Sequence, residues 1–349
     1  MKENPDYPKW KLFLDLGKRN LELEENESAK NALSKSILIR QDKYSSFFYR
    51  GLANHRLNNF SEAINDFTKS LEIKDNFKSY IGRGRAFNKL FDYESALKDY
   101  NSAYKFFESN NKIENGSKLF FNRGIAYYNL KKYKNSILDF SKSIKLGFDF
   151  FEVFQNRGFG YFRLTKWDNA LLDFKEAIRR NPDNENLLIC YEQLSLINIK
   201  LKDFEEVKNY SKKGFDLSNE IYNQSKNTLT NDEIEKINRN WLLYLGFANI
   251  KLNNFEKAEY WLDKVNFLYM DLPDTRASEL ICRAFTLTHL DKYDKALEYI
   301  DMAFRLKPIF GWNFIFSEVG ELIDKLPESI KNIIRIKYQH KFNKCRNQL

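Results

Sequence analysis

The sequence predicts an all-α chain built from repeated helix-turn-helix units, and three observations predict it. One phrase is written four times, as RGLANHRLNNFSEAINDFTKSLEI, RGRAFNKLFDYESALKDYNSAYKF, RGIAYYNLKKYKNSILDFSKSIKL and RGFGYFRLTKWDNALLDFKEAIRR. Within it, apolar residues recur at helical spacing on both sides of one aromatic, which describes two amphipathic helices joined by a tight turn. The third observation is scarcity: 13 Gly and 6 Pro in 349 residues leave little material for β-hairpin turns or linkers, while 43% hydrophobic content supplies a continuous core.

The residue after the Arg marks the register, at Gly51, Gly84, Gly124 and Gly158. Weaker copies are anchored at Gly17 before them and at Ser195, Gly246 and Ala284 after them, which makes eight repeats. Spacings of 34, 33, 40, 34, 37, 51 and 38 residues point to a period near 34 with insertions in the turns between repeats. Each repeat of such an array packs only on its neighbours, so an insertion there extends a helix or loop without breaking the stack. Nine residues beyond the anchor stands an aromatic, at Phe60, Tyr93, Tyr133, Trp167, Phe204, Phe255 and Tyr293. Three residues later comes a short side chain: Ala63, Ala96, Ser136, Ala170, Val207, Ala258 and Ala296. The short side chains are expected where the two helices cross, because they let the backbones approach closely.

This pattern resembles the tetratricopeptide repeat, whose signature joins a small residue in the first helix, an aromatic at the turn, an alanine early in the second helix and often a closing proline. Pro182 and Pro308 stand in that closing place, 24 residues beyond Gly158 and Ala284. The resemblance covers about Trp10 to Pro308. It implies a right-handed α-solenoid over residues 1–310, and it leaves function open, because the repeat serves as a scaffold in many contexts. A long insertion at about 219–238 reads as a loop around Asn227 followed by a helix start at Thr230 or Asn231. Residues 311–349 are expected to form C-terminal capping helices with a basic tail, since a solenoid must cover its apolar end. The alternative for that tail is a binding arm, suggested by Lys331, Arg335, Lys337, Lys341, Lys344 and Arg346.

In the second to fifth repeats the Arg before the anchor is followed sixteen residues later by Asp: Arg50 with Asp66, Arg83 with Asp99, Arg123 with Asp139, and Arg157 with Asp173. Where the Arg is lost, at Leu194 and Leu245, the Asp is lost too, giving Tyr210 and Trp261. Groups that come and go together at a packed helix face are expected to be bidentate ion pairs holding helices together. Arg283, opposite Tyr299, breaks the rule and needs another acidic partner or solvent.

In proteins of this resemblance the first helices line an inner groove, through residues two, three and six before the anchor and one, four and five after it. Carried to this chain, those places give Phe48, Tyr49, His55 and Arg56 from the second repeat, and Lys78, Ile81, Arg85, Asn88 and Lys89 from the third. The fourth supplies Lys118, Phe121, Asn122, Tyr128 and Asn129, and the fifth Glu152, Asn156, Phe159, Phe162 and Arg163, with Lys200 and Lys251 farther along. Such a wall is basic and aromatic. Asn122 and Asn156 offer amides to an extended peptide backbone, and the cations attract carboxylates, so an acidic or extended peptide is the implied partner. The carboxylate clamp of chaperone-binding members is absent, because Ile81, Arg85, Glu152 and Asn156 occupy the required places around Asn122.

The remaining composition excludes more than it assigns. His55, His289 and His340 are scattered and Cys190, Cys282 and Cys345 are widely spaced, so neither a metal site nor a disulfide framework is read, and no cofactor is expected. No Gly-rich phosphate loop or GxSxG nucleophile motif occurs, which points away from an enzyme. The first twenty residues lack a secretory pattern, and no apolar run approaches the roughly 20 residues that span a bilayer, so a soluble cytoplasmic protein is expected. A net charge of +9 keeps nucleic acid as the alternative partner to a peptide.

Overall fold

A computed structural model describes residues 7–109, 116–224, 231–265, 273–305 and 327–332. It divides into two compact units, Met1–Ala177 and Ile178–Leu349. Among the described residues every regular element is helical, and each unit is an all-α stack of helix-turn-helix pairs.

The N-terminal unit holds five pairs: α1 (Lys9–Glu22) with α2 (Asn26–Ile39), α3 (Tyr44–Arg56) with α4 (Phe60–Ile73), α5 (Phe77–Lys89) with α6 (Tyr93–Ser109), α7 (Gly116–Asn129) with α8 (Tyr133–Lys145), and α9 (Phe151–Arg163) with α10 (Trp167–Arg179), the last through Ala177. The C-terminal unit holds α11 (Asn184–Leu201) with α12 (Phe204–Gln224), α13 (Asn231–Lys251) with α14 (Phe255–Asp263), and α15 (Pro273–His289) with α16 (Tyr293–Arg305). In the second to eighth repeats the aromatic nine residues past the anchor is the first residue of the second helix, from Phe60 of α4 to Tyr293 of α16, and in the first repeat Asn26 of α2 holds that place.

The turn between paired helices is the same in all eight repeats. The residue seven past the anchor has φ between 56° and 62°: Glu24, Asn58, Phe91, Lys131, Thr165, Lys202, Asn253 and Asp291. The amide after each of them donates to a carbonyl five residues back, as Asn59 does to Asn54 (2.9 Å) and Asp203 to Asn198 (2.9 Å). This left-handed residue with its six-to-one bond closes the first helix and reverses the chain.

The short residues twelve past the anchors are wholly buried, at 0% exposure from Ala63 and Ser136 to Val207 and Ala296. The anchor glycines face large side chains sixteen residues on. A Cβ built on Gly84 would stand 2.7 Å from the Tyr100 ring, and one on Gly124 2.7 Å from Phe140, so only a hydrogen fits.

In the C-terminal unit the insertion begins as a helix extension, α12 running to Gln224, and α13 starts at Asn231. Residues 225–230, where the sequence predicts a loop around Asn227, lie outside the described residues, as do Pro308 and the capping helices expected over 311–326 and 333–349. Of the C-terminal segment, residues 328–332 are helical, and Ile330, 3% exposed, joins the core formed with Phe247, Leu262 and Phe285.

Candidate functional site

Two sets of cations in the N-terminal unit have opposite environments. The first is the series of Arg residues that precede the anchors. Arg50 lies 2.6 Å from Asp66, Arg83 2.8 Å from Asp99, Arg123 2.7 Å from Asp139 and Arg157 2.7 Å from Asp173. Each pair is bidentate, Nε and Nη2 of the guanidinium meeting the carboxylate. The Asp residues are buried, and Asn54 adds a third donor to Asp66 at 2.9 Å. The Asp99 carboxylate beside it holds the Arg83 guanidinium above its ordinary pKa.

Each guanidinium is also held by two groups that the sequence reading missed. Its Nη1 donates to a polar side chain of the preceding repeat's second helix: Ser34 (3.3 Å), Thr68 (3.0 Å), Asn101 (3.2 Å) and Ser141 (3.1 Å) in turn. Its carbon centre also lies over an aromatic ring three residues earlier, Phe47, Tyr80, Phe120 or Phe154, at 5.8, 5.9, 5.4 and 5.8 Å. The signal was legible, because those aromatics recur with the same spacing as the Arg.

The second set lies on the first helices, where α1, α3, α5, α7 and α9 are neighbours in series. Arg56, Arg85, Lys89, Lys118 and Arg163 are exposed there, and none has a carboxylate within ion-pair distance among the described residues. Arg56 donates to the Leu21 carbonyl (2.6 Å) and Arg163 to the Tyr128 hydroxyl (3.3 Å), neutral acceptors that fix side chains without cancelling charge.

The aromatics expected on this wall are half-buried and engaged within the repeats. Phe48 packs on Phe67 (centroids 5.9 Å), Phe159 on Phe174 (5.1 Å), Phe162 on Trp167 (5.2 Å) and Tyr128 on Tyr133 (5.4 Å). Phe121 stacks with Phe148 at 4.7 Å, and the Tyr49 ring has Lys18 over it at 5.2 Å. Asn122 and Asn156 donate to Lys118 and Glu152 carbonyls of their own helices, both at 2.7 Å. Each amide therefore keeps its oxygen and its second N–H for another partner.

His55 sits in the last turn of α3. It is 9% exposed, its Nε2 is buried without a hydrogen-bond partner, and its ring meets Phe60 edge-on at 5.4 Å. Burial, joined by the charges of Arg85, Lys89 and Arg56, pushes the imidazole down to about 4.

In the C-terminal unit, Leu194 and Leu245 take the place of the ladder Arg and are 0% and 1% exposed. Arg283 does find other partners: Glu279 at 2.9 Å, Asp263 at 3.5 Å and the carbonyls of Leu262 and Val265. Among the described residues no group of three or more His, Cys, Asp or Glu could hold a metal ion, and no helix is long and apolar enough to cross a membrane.

The family model described as tetratricopeptide repeat matches residues 117–147, the fourth of these repeats. Solved structures share the fold at low identity. A C-terminal part of a TPR repeat-containing protein from Cytophaga hutchinsonii is 13% identical over 72% of this chain and 93% of its own, with a TM-score of 0.55. PilF of Pseudomonas aeruginosa is 15% identical over 63% of this chain and 93% of its own (TM-score 0.51). PilW, described as a type IV pilus biogenesis factor, is 13% identical over 58% and 91% (TM-score 0.51). No curated protein matches. The fourth repeat thus matches the tetratricopeptide-repeat model, and the solved structures show that the chain shares the fold of stacked helix-turn-helix repeats.

Proposed function

We propose that this chain is a non-catalytic protein-interaction scaffold that takes an acidic or extended peptide segment on the first-helix face of its N-terminal unit. The observation that supports it is the contrast just drawn. Cations of the ladder are neutralised by buried carboxylates, whereas Arg56, Arg85, Lys89, Lys118 and Arg163 are exposed without one. An unmatched row of charge attracts a partner of opposite sign and speeds its encounter. Asn122 and Asn156 supply neutral hydrogen bonding to a peptide backbone, and the half-buried rings supply apolar contact. In this reading the protein works in the cytoplasm, where its buried thiols Cys190 and Cys282 stay reduced.

The test is calorimetric titration of the whole chain with a hexa-aspartate peptide, a hexa-lysine peptide and a single-stranded oligonucleotide. Binding of the acidic peptide that weakens with added salt, with none of the basic one, is the expected result. No binding of the acidic peptide at low salt would remove the reading, and tighter binding of the oligonucleotide would replace it with nucleic-acid recognition. Asn122→Ala with Asn156→Ala should weaken capture several-fold and leave the melting temperature nearly unchanged.

A further inference from the structure

We propose that Arg56, Arg85 and Lys89, exposed on the neighbouring helices α3 and α5, form one site for carboxylates of an acidic peptide beside the buried imidazole of His55, and that filling it makes His55 take up a proton. The inference rests on the peptide reading above and names the place and a regulation within it.

Three facts carry it. First, the cations come from two neighbouring first helices, Arg56 from α3 and Arg85 and Lys89 from α5, so the site exists only when the two repeats are stacked. Second, three positive charges act on His55: Arg85 and Lys89 from α5 and Arg56 from its own helix. From α4 it is met by the Phe60 ring. Third, His55 is nine-tenths buried and its Nε2 has no partner, a rare state for a buried polar atom.

A local charge of three cations with no counter-charge favours an anion on them. Its arrival offsets the cationic repulsion that adds to burial in keeping the imidazole neutral, so the imidazolium becomes easier to form. Proton uptake and anion binding are thereby linked, each strengthening the other. The shift in the free protein, to about 4, has the direction that this linkage requires. Asn88, on the same helix as Lys89, donates to the Tyr100 hydroxyl (3.1 Å) and the Asn122 carbonyl (3.2 Å), which pins α5 against its neighbours.

The experiment uses the full chain and a fluorescein-labelled, C-terminally amidated hexa-aspartate probe, read by anisotropy at pH 7.5 and pH 5.5. Because burial still lowers it, His55 rises only part of the way toward its ordinary value near 6.5 in the complex, and affinity rises between those two conditions by less than about tenfold. His55→Gln should flatten that dependence, and Arg85→Ala with Lys89→Ala should weaken binding at least about tenfold at pH 5.5. With three histidines in the chain, imidazole NMR signals can be followed individually, and the His55 signal of the unaltered protein should titrate at higher pH when the probe is saturating. A probe carrying a free C-terminus separates the terminal carboxylate from side-chain ones; equal affinity assigns the site to side chains. Probe binding that ignores the Arg85 and Lys89 changes, or leaves the His55 signal unmoved, overturns this site and leaves the scaffold reading standing. A probe that binds neither the unaltered chain nor any variant overturns both.

Discussion

Repeats two to five in the N-terminal unit and repeats six and seven in the C-terminal unit solve one packing problem in two ways. Both close the first helix with a left-handed residue and bury a short side chain at the helix crossing. Beside the anchor, however, the former place a guanidinium against a carboxylate, and the latter place Leu194 with Tyr210 and Leu245 with Trp261. The fold therefore needs a matched pair there and does not need charge. A buried ion pair and an apolar pair of similar volume have comparable net stability, because the attraction between the charges is offset by the loss of their hydration. Breaking a pair is another matter, since the remaining charge has neither partner nor water. The same contrast extends to the first-helix face: His55 lies four residues past its anchor, where the C-terminal unit has Ile199 and Ile250.

That comparison can be broken in graded steps. The largest effect should come from Asp139→Ala, because the Arg123 side chain is only 11% exposed. About 3–5 kcal/mol of stability should be lost in a urea melt, whereas Trp261→Ala in the C-terminal unit should show a cavity cost that does not depend on pH. Next, Gly124→Ala should cost about 1–3 kcal/mol, since its Cβ would stand 2.7 Å from the Phe140 ring. Ser at position 195 is accommodated because its counterpart is Ser211, hydroxyl to hydroxyl at 3.1 Å.

The third step is a pH dependence. His55 is held neutral with its value lowered to about 4, so between the ordinary 6.5 and that value the unfolded chain binds a proton that the folded one does not. Its contribution is complete above pH 6.5 and is lost as pH falls toward 4, by about 2 kcal/mol once solvent screening is allowed for. His55→Gln should remove that part of the decline in melts taken from pH 7 to 4. The smallest step is Thr165→Asn: a β-branched residue at φ 56° is strained, and Asn stands at the equivalent turns as Asn58 and Asn253. A gain of up to about 1 kcal/mol is expected in thermal melts.

Much of the fold was legible because a repeat states each local rule eight times. Phe60 and its counterparts mark helix starts, and Gly51 and Ala63 mark the crossing, so register could be read without structure. The Arg and Asp pairs were legible through their joint loss at Leu194 and Leu245. The turn residues were not, since Glu24, Phe91 and Thr165 share no side-chain chemistry, and it is the backbone reversal that forces them into one conformation. The candidate site was legible only in outline. Arg85 and Lys89 could be placed on the first-helix face by position, but the burial of His55 depends on how α3 packs with its neighbours. The engagement of Phe159 and Phe162 with Phe174 and Trp167 likewise belongs to packing within a repeat, which periodicity does not report.

The most direct measurement is the stability of three proteins in urea: the unaltered chain, Asp139→Ala, and the combined Arg123→Leu with Asp139→Tyr, which transplants the Leu194 and Tyr210 solution into the fourth repeat. The account predicts that the single change costs about 3–5 kcal/mol and that the combined change recovers most of the loss, ending within about 1–2 kcal/mol of the original. A combined variant as unstable as the single one would show that this place demands charge, contrary to what the two units teach.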